Sequence, residues 1–197
     1  MSKYNGEIVA GSLLLKESRV IAELLLRGLE EKKFYQEVLV SNVLQKRSPA
    51  SAKRQAKLIR NRLLPLHKDF WIMIRDGSYE QSGQTLFAAS IAHSHLLGDF
   101  IMQAVQLNIK TFQKQISYRD WDNFFEECKH RDPVTSKWAE STTKKIRQVI
   151  FRILAEAQVI DSTRSMNLIP FSLLPEVKEL LIRHEKNYVL KCLEAIQ

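Results

Sequence analysis

Residues 44–63 read LQKRSPASAKRQAKLIRNRL. The Ser48–Pro49 pair marks a helix start. Ser48 has the side chain of an N-cap, and Pro49 falls at the first helical position, where a missing N–H costs nothing. The next breaker is Pro65, so the spacing predicts a helix to about Leu64. At about 100° per residue, Ala52, Ala56, Ile59 and Leu63 share one sector. Lys53, Lys57 and Arg60 share another, flanked by Arg54. A segment that buries one stripe and presents a cationic one beside it belongs in a helical fold.

The same period recurs on both sides. Upstream, 13–29 (LLLKESRVIAELLLRGL) places Val20, Ile21, Leu24 and Leu25 at helix spacing, with Gly28 as its stop. Residues 30–45 are expected to form a second helix, with Phe34, Val38 and Leu39 inward. Downstream, 67–77 is a short apolar helix ending near Gly77. Residues 82–109 read as one or two helices with an interruption at Gly98. A helix capped at Ser117 or Asp120 stops at Pro133. Residues 141–157 are amphipathic, and 174–196 is a final helix with Pro175 near its start. Residues 158–172, around DSTRSMNLIPFS, are the turn-rich stretch that leaves room for a small β-ribbon. The expected fold is all-α, a multi-helix bundle in one domain over 1–197, with a soft boundary at 75–84. The N-terminal part has the order helix, connection, capped basic helix, which resembles a helix-turn-helix.

Composition agrees with a folded domain. The 197 residues are 45% hydrophobic and contain only 6 Gly and 5 Pro, which excludes a disordered or loop-built chain. No apolar run approaches the roughly 20 residues of a membrane span, and no signal peptide is legible. The two cysteines, Cys128 and Cys192, lie far apart with no CxxC, as expected of reduced thiols in a cytoplasmic protein.

The charge is the functional clue. Lys+Arg total 30 against 22 Asp+Glu, a net +8, which favours anionic partners. Seven of these cations, Lys46, Arg47, Lys53, Arg54, Lys57, Arg60 and Arg62, fall within residues 44–63, and no carboxylate occurs between Glu37 and Asp69. An ordinary solvated helix face mixes both signs; a face that grips phosphates does not. Gln55 and Asn61 are placed to add hydrogen bonds. Lys144, Lys145 and Arg147 make a second cationic cluster on the amphipathic helix that follows Trp138, weaker because Glu156 and Asp161 come soon after.

Chemical motifs do not emerge. His93 and His95, two apart, point about 200° apart on a helix and cannot share a metal. Cys128 and His130 near Glu126 and Glu127 match no zinc spacing. Trp121, Phe124 and Phe125 read as core. Phosphate loops and nucleophile motifs are absent. The expectation is a protein without catalytic residues, cofactor, metal or small-molecule substrate. The acidic run Asp120, Asp122, Glu126, Glu127 and Asp132 is a solvated face or a dock for a basic partner.

Four segments in order, YNGEIVAGSLLLKESRVIAELLL (4–26), VLQKRSPASAKRQAKLIRNRL (43–63), QTLFAASIAHSHLLGDF (84–100) and WAESTTKKIRQVIFRILAEAQVID (138–161), resemble the BrxA family of bacteriophage exclusion (BREX) defence systems. The resemblance covers nearly the whole chain. It implies a bacterial protein that helps restrict phage, an all-helical fold similar to the RNA-binding factor NusB, and DNA binding. It carries no catalytic residue across. Together with the charge pattern it predicts a non-enzymatic accessory protein that binds duplex DNA through phosphates. The alternatives are an adaptor docking on other BREX proteins and an RNA binder.

Overall fold

The computed structural model describes residues 3–197. The chain begins with a 3-10 turn, Glu7–Ala10, followed by α1 (Leu15–Leu26), α2 (Glu31–Leu39), α3 (Pro49–Leu63), α4 (Lys68–Asp76) and α5 (Tyr79–His93). Then come α6 (His95–Phe100), a π-helical turn (Ile101–Val105) and α7 (Gln106–Lys110). The rest is α8 (Tyr118–Arg131), a 3-10 turn (Thr135–Lys137), α9 (Glu140–Glu156), α10 (Pro175–Arg183) and α11 (Asn187–Glu194). The fold is all-α, as the periodicity predicts.

α5 is the hub. It packs on α1, α3, α4, α6, α10 and α11, and it is buried almost all round, from Ser82 through Ile91. A helix buried on every side must satisfy its own polar groups. Ser82 Oγ donates to Ile74 O, Thr85 Oγ1 to Gln81 O and Ser90 Oγ to Leu86 O. Gln84 ties the 172–174 segment to the hub, donating to Ser172 O at 2.8 Å and accepting from Leu174 N at 2.9 Å. Trp121, Phe124 and Phe125 are buried; Trp121 and Phe124 pack edge-on and tilted against Phe100. They are core, as expected. Cys128 and Cys192 are buried free thiols.

Several boundaries differ from the sequence reading. The 82–109 helix breaks at Ser94, whose extended backbone (φ −123°, ψ 96°) ends α5 and begins α6. Gly98 is instead inside α6, where a Cβ would lie 2.3 Å from Tyr188 Oη. Glycine is needed there for close approach, not for a bend. The final helix is two, α10 and α11, parted at Glu185, whose φ is +53°. Residues 158–172 contain no strand among the described residues. They form single antiparallel bridges, Ile160 to Leu168 and Gln115 to Asn167. The ribbon stops there because Asp161 takes the turn's donors itself, accepting from Ser162 N, Ser165 Oγ, Asn167 N and Asn167 Nδ2. No helix among the described residues is long and apolar enough to cross a membrane.

Candidate nucleic-acid interface

α3 starts as its sequence dictates. Ser48 Oγ accepts from Ser51 N, and Pro49 occupies the first turn. Ala52, Ala56, Ile59 and Leu63 are all 2% exposed or less. The two alanines let α3 lie close against its neighbours, and the helix is held by α1, α2 and α5. The connection from α2 is nine residues, 40–48, rather than the three or four of a helix-turn-helix. Its backbone turns through left-handed Asn42 and Gln45.

The expected cations divide into three sets. Arg47, Lys53, Arg54 and Lys57 are exposed. Among the described residues these four have no ion-pair partner, and they line the outer ridge of α3 and its approach. Lys46 and Arg60 are engaged. Lys46 is paired with Glu17, both side chains mostly covered. Burial raises the Glu17 pKa, but the Lys46 bond, a backbone hydrogen bond and the charges of Lys46 and Lys16 together hold the carboxyl below its ordinary value. Arg60 stands 3.8 Å from Glu31 and lies over the Phe34 ring at 5.6 Å, a quarter exposed.

Arg62 is a correction. The sequence reading places it on the cationic surface, but it is 2% exposed. Its guanidinium donates to Ser12 O at 2.5 Å and Gly11 O at 3.1 Å. Burial pushes its pKa down to about 10, opposed by the charge of Glu156. The signal was present in the helical period. Arg62 lies about 180° around the helix from Lys53, and the buried arc runs from Leu58 through Arg62 to Ala56. Arg60 borders that arc, which is why it turns towards α2.

The proposed polar readers also turn away. Asn61 Nδ2 donates to Glu7 Oε2 at 3.1 Å, and Gln55 Oε1 is a buried atom without a hydrogen-bond partner. Glu7 closes the C-terminal end of the ridge. It is bonded by Asn61 and by His93 Nε2 at 3.0 Å and feels the charge of Lys57, and its pKa is lowered. A shallow cavity of about 220 Å³ lies here between Glu7, Arg54, Lys57 and Asn61.

Two of the three cations of the second cluster are paired. Lys144 pairs with Glu140 at 2.7 Å, and Arg147 pairs with Asp122 at 3.0 Å while stacking over the Tyr118 ring at 4.4 Å. Lys145 is exposed. Glu140 of α9 itself and Asp122 of the facing α8 supply the counter-charge, so this face is mixed. The expected acidic run is thereby partly explained: Asp122 serves α9, and Asp120 closes a capping box with Ser117. Sequence reading also missed Phe112. It is 93% exposed with φ +56°, and residues 100–119 around it contain Lys110, Lys114 and Arg119 but no carboxylate.

The BrxA family model matches residues 2–185. A protein of Paramagnetospirillum magneticum (strain ATCC 700264 / AMB-1) described as "BREX protein BrxA" is 40% identical over 98% of this chain and 96% of its own length. One of the same description from Escherichia coli O9:H4 (strain HS) is 34% identical over 96% of this chain and 89% of its own. A crystal structure of an uncharacterized protein from Magnetospirillum magneticum superposes with a TM-score of 0.92 at 38% identity, covering 98% of this chain and 99% of that one. With a family model and two relatives matching nearly end to end, the chain belongs to the BrxA family of BREX phage-defence systems.

Proposed function

We propose that this protein is a non-enzymatic DNA-binding subunit of a bacterial BREX phage-defence system. It holds duplex DNA by its phosphates on the ridge Arg47, Lys53, Arg54 and Lys57. One observation carries the reading: among the described residues these four exposed cations have no ion-pair partner, three of them on one edge of α3 and Arg47 just before its cap, within a stretch that has no carboxylate from residue 38 to 68. Phosphate contacts position a protein and carry little sequence information, so the expected complex is weakly sequence-specific. With about four phosphates neutralised, affinity falls roughly a hundredfold between 50 and 200 mM salt.

The test is fluorescence anisotropy with a generic duplex across a salt series, comparing wild type with Lys53→Glu/Arg54→Glu/Lys57→Glu. A steep salt slope lost in the variant supports the reading. A salt-insensitive complex, or equal binding by both proteins, overturns it. Competition between duplex DNA and structured RNA of equal length identifies the preferred nucleic acid.

The adaptor reading rests on a different observation. Val40, Leu107 and Phe112 are large apolar side chains at 77%, 58% and 93% exposure. Retention of other BREX proteins after nuclease treatment, lost on Phe112→Ser, would favour docking on protein.

A further inference from the structure

We propose that His67, Asp69 and His184 form a binding site for a divalent transition-metal ion such as Zn²⁺. His67 is the N-cap of α4, Asp69 lies in that helix's first turn, and His184 is the C-cap of α10. The fold brings His184 and Asp69 together across 115 residues of sequence. Asp69 Oδ2 lies 3.2 Å from His67 Nδ1 and 2.9 Å from His184 Nε2. The three donor atoms all lie within 4.8 Å of one another.

The donor set selects the ion class. Two imidazoles and one carboxylate suit Zn²⁺, Co²⁺, Ni²⁺ or Cu²⁺ better than Mg²⁺ or Ca²⁺, which take oxygen ligands. Metal bonds of about 2.0–2.1 Å in a tetrahedral array place donors roughly 3.3 Å apart, close to the two separations seen. Three protein ligands leave a fourth position for water.

The site is graded in exposure. His184 is only 18% exposed at its side chain, and its ring lies against Phe70 at 5.4 Å. His67 is 47% exposed, with its ring stacked on His184 at 4.3 Å and 23°. In that stack the imidazole planes run nearly parallel. Coordination therefore requires the exposed His67 ring to rotate about χ2 and open the stack. The weak cap bond from Asp69 N to His67 Nδ1, 3.3 Å long, yields in that rotation. The neighbouring cation Arg183 is occupied by Glu179. Ion binding would join the turn that ends α3 to the end of α10. This assignment does not depend on DNA binding.

The experiment uses untagged full-length protein, stripped with chelator and titrated with Co²⁺ and with Zn²⁺. The expected results are the visible d–d band of near-tetrahedral Co²⁺, one equivalent of Zn²⁺ by calorimetry, and a thermal midpoint that rises with Zn²⁺ because the ion binds only the native chain. His184→Ala abolishes all three, and Asp69→Asn weakens Zn²⁺ binding roughly tenfold or more. His67→Gln, at a half-exposed position whose weak cap bond is its main tie to α4, loses the band without loss of helicity. His130→Ala, on α8, behaves as wild type. No Co²⁺ band in wild type, or stoichiometric Zn²⁺ retained by His67→Gln and His184→Ala alike, overturns the site.

Discussion

Arg62 and Glu156 secure the same loop, one through its carbonyls and the other through its donors. Arg62, from α3, donates to the carbonyls of Gly11 and Ser12. Glu156, from the end of α9, accepts from Ser12 Oγ at 2.7 Å and Leu13 N at 2.8 Å. A basic residue nominated for an external surface is thus a strut tying α3 to the loop before α1.

Arg62→Ala leaves both carbonyls without their donor and removes a buried charge from its partners. The expected loss is about 3 kcal/mol of stability, read from urea denaturation. The DNA affinity of the protein that remains folded should match wild type. A large loss of affinity with stability intact would return Arg62 to the interface.

Exposed and engaged cations should separate in the salt slope. Arg54→Ala and Lys57→Ala each lower the slope of log K against log salt by about 1. Lys46→Ala and Arg60→Ala change it little, since their charges answer Glu17 and Glu31. Lys144→Ala belongs with the second pair. Equal effects from all five would show that ion pairing inside the chain does not shape the interface.

Asp99 should make the fold acid-sensitive. It is 5% exposed and accepts from Lys3 Nζ, Tyr4 Oη and Tyr188 Oη. Burial opposes ionisation, but these donors outweigh it and hold the carboxyl below the ordinary aspartate range. A carboxyl with a depressed folded pKa contributes stability above its unfolded value of about 4, and that contribution is lost as pH falls through the folded pKa. The urea midpoint should therefore drop below about pH 4. Asp99→Asn should be less stable at neutral pH and lose less on acidification. Parallel pH profiles for the two proteins would assign the acid sensitivity elsewhere.

Phe112 holds a left-handed backbone, φ +56°, while burying almost nothing. A bulky residue in that region is strained, and glycine is not. Phe112→Gly should raise stability by about 0.5 kcal/mol, the relief of strain exceeding the entropy glycine adds to the unfolded chain. Thermal denaturation reads the sign.

Much was legible from local pattern. Ser48 and Pro49 announced α3, Gly28 the end of α1, and one of two candidate caps, Ser117, the start of α8, because caps are satisfied by residues a few positions away. The buried stripe of α3 followed from spacing, and Trp121, Phe124 and Phe125 are core as their residue types suggested. The breaks at Ser94 and Glu185 were not legible. Neither position carries Gly or Pro, and their backbone angles are set by how the flanking helices pack.

Local sequence thus determined the helices, their faces and a cationic stretch without counter-ions, since a 3.6-residue period and a charge count need no partner. Tertiary structure decided which of those cations remain free. Glu17, Glu31, Asp122 and the Gly11–Ser12 carbonyls come from distant parts of the chain to Lys46, Arg60, Arg147 and Arg62. It likewise decided that His184 meets His67 and Asp69. A charge is answered by whatever the fold sets within a few ångströms of it, and that distance is not written in sequence separation.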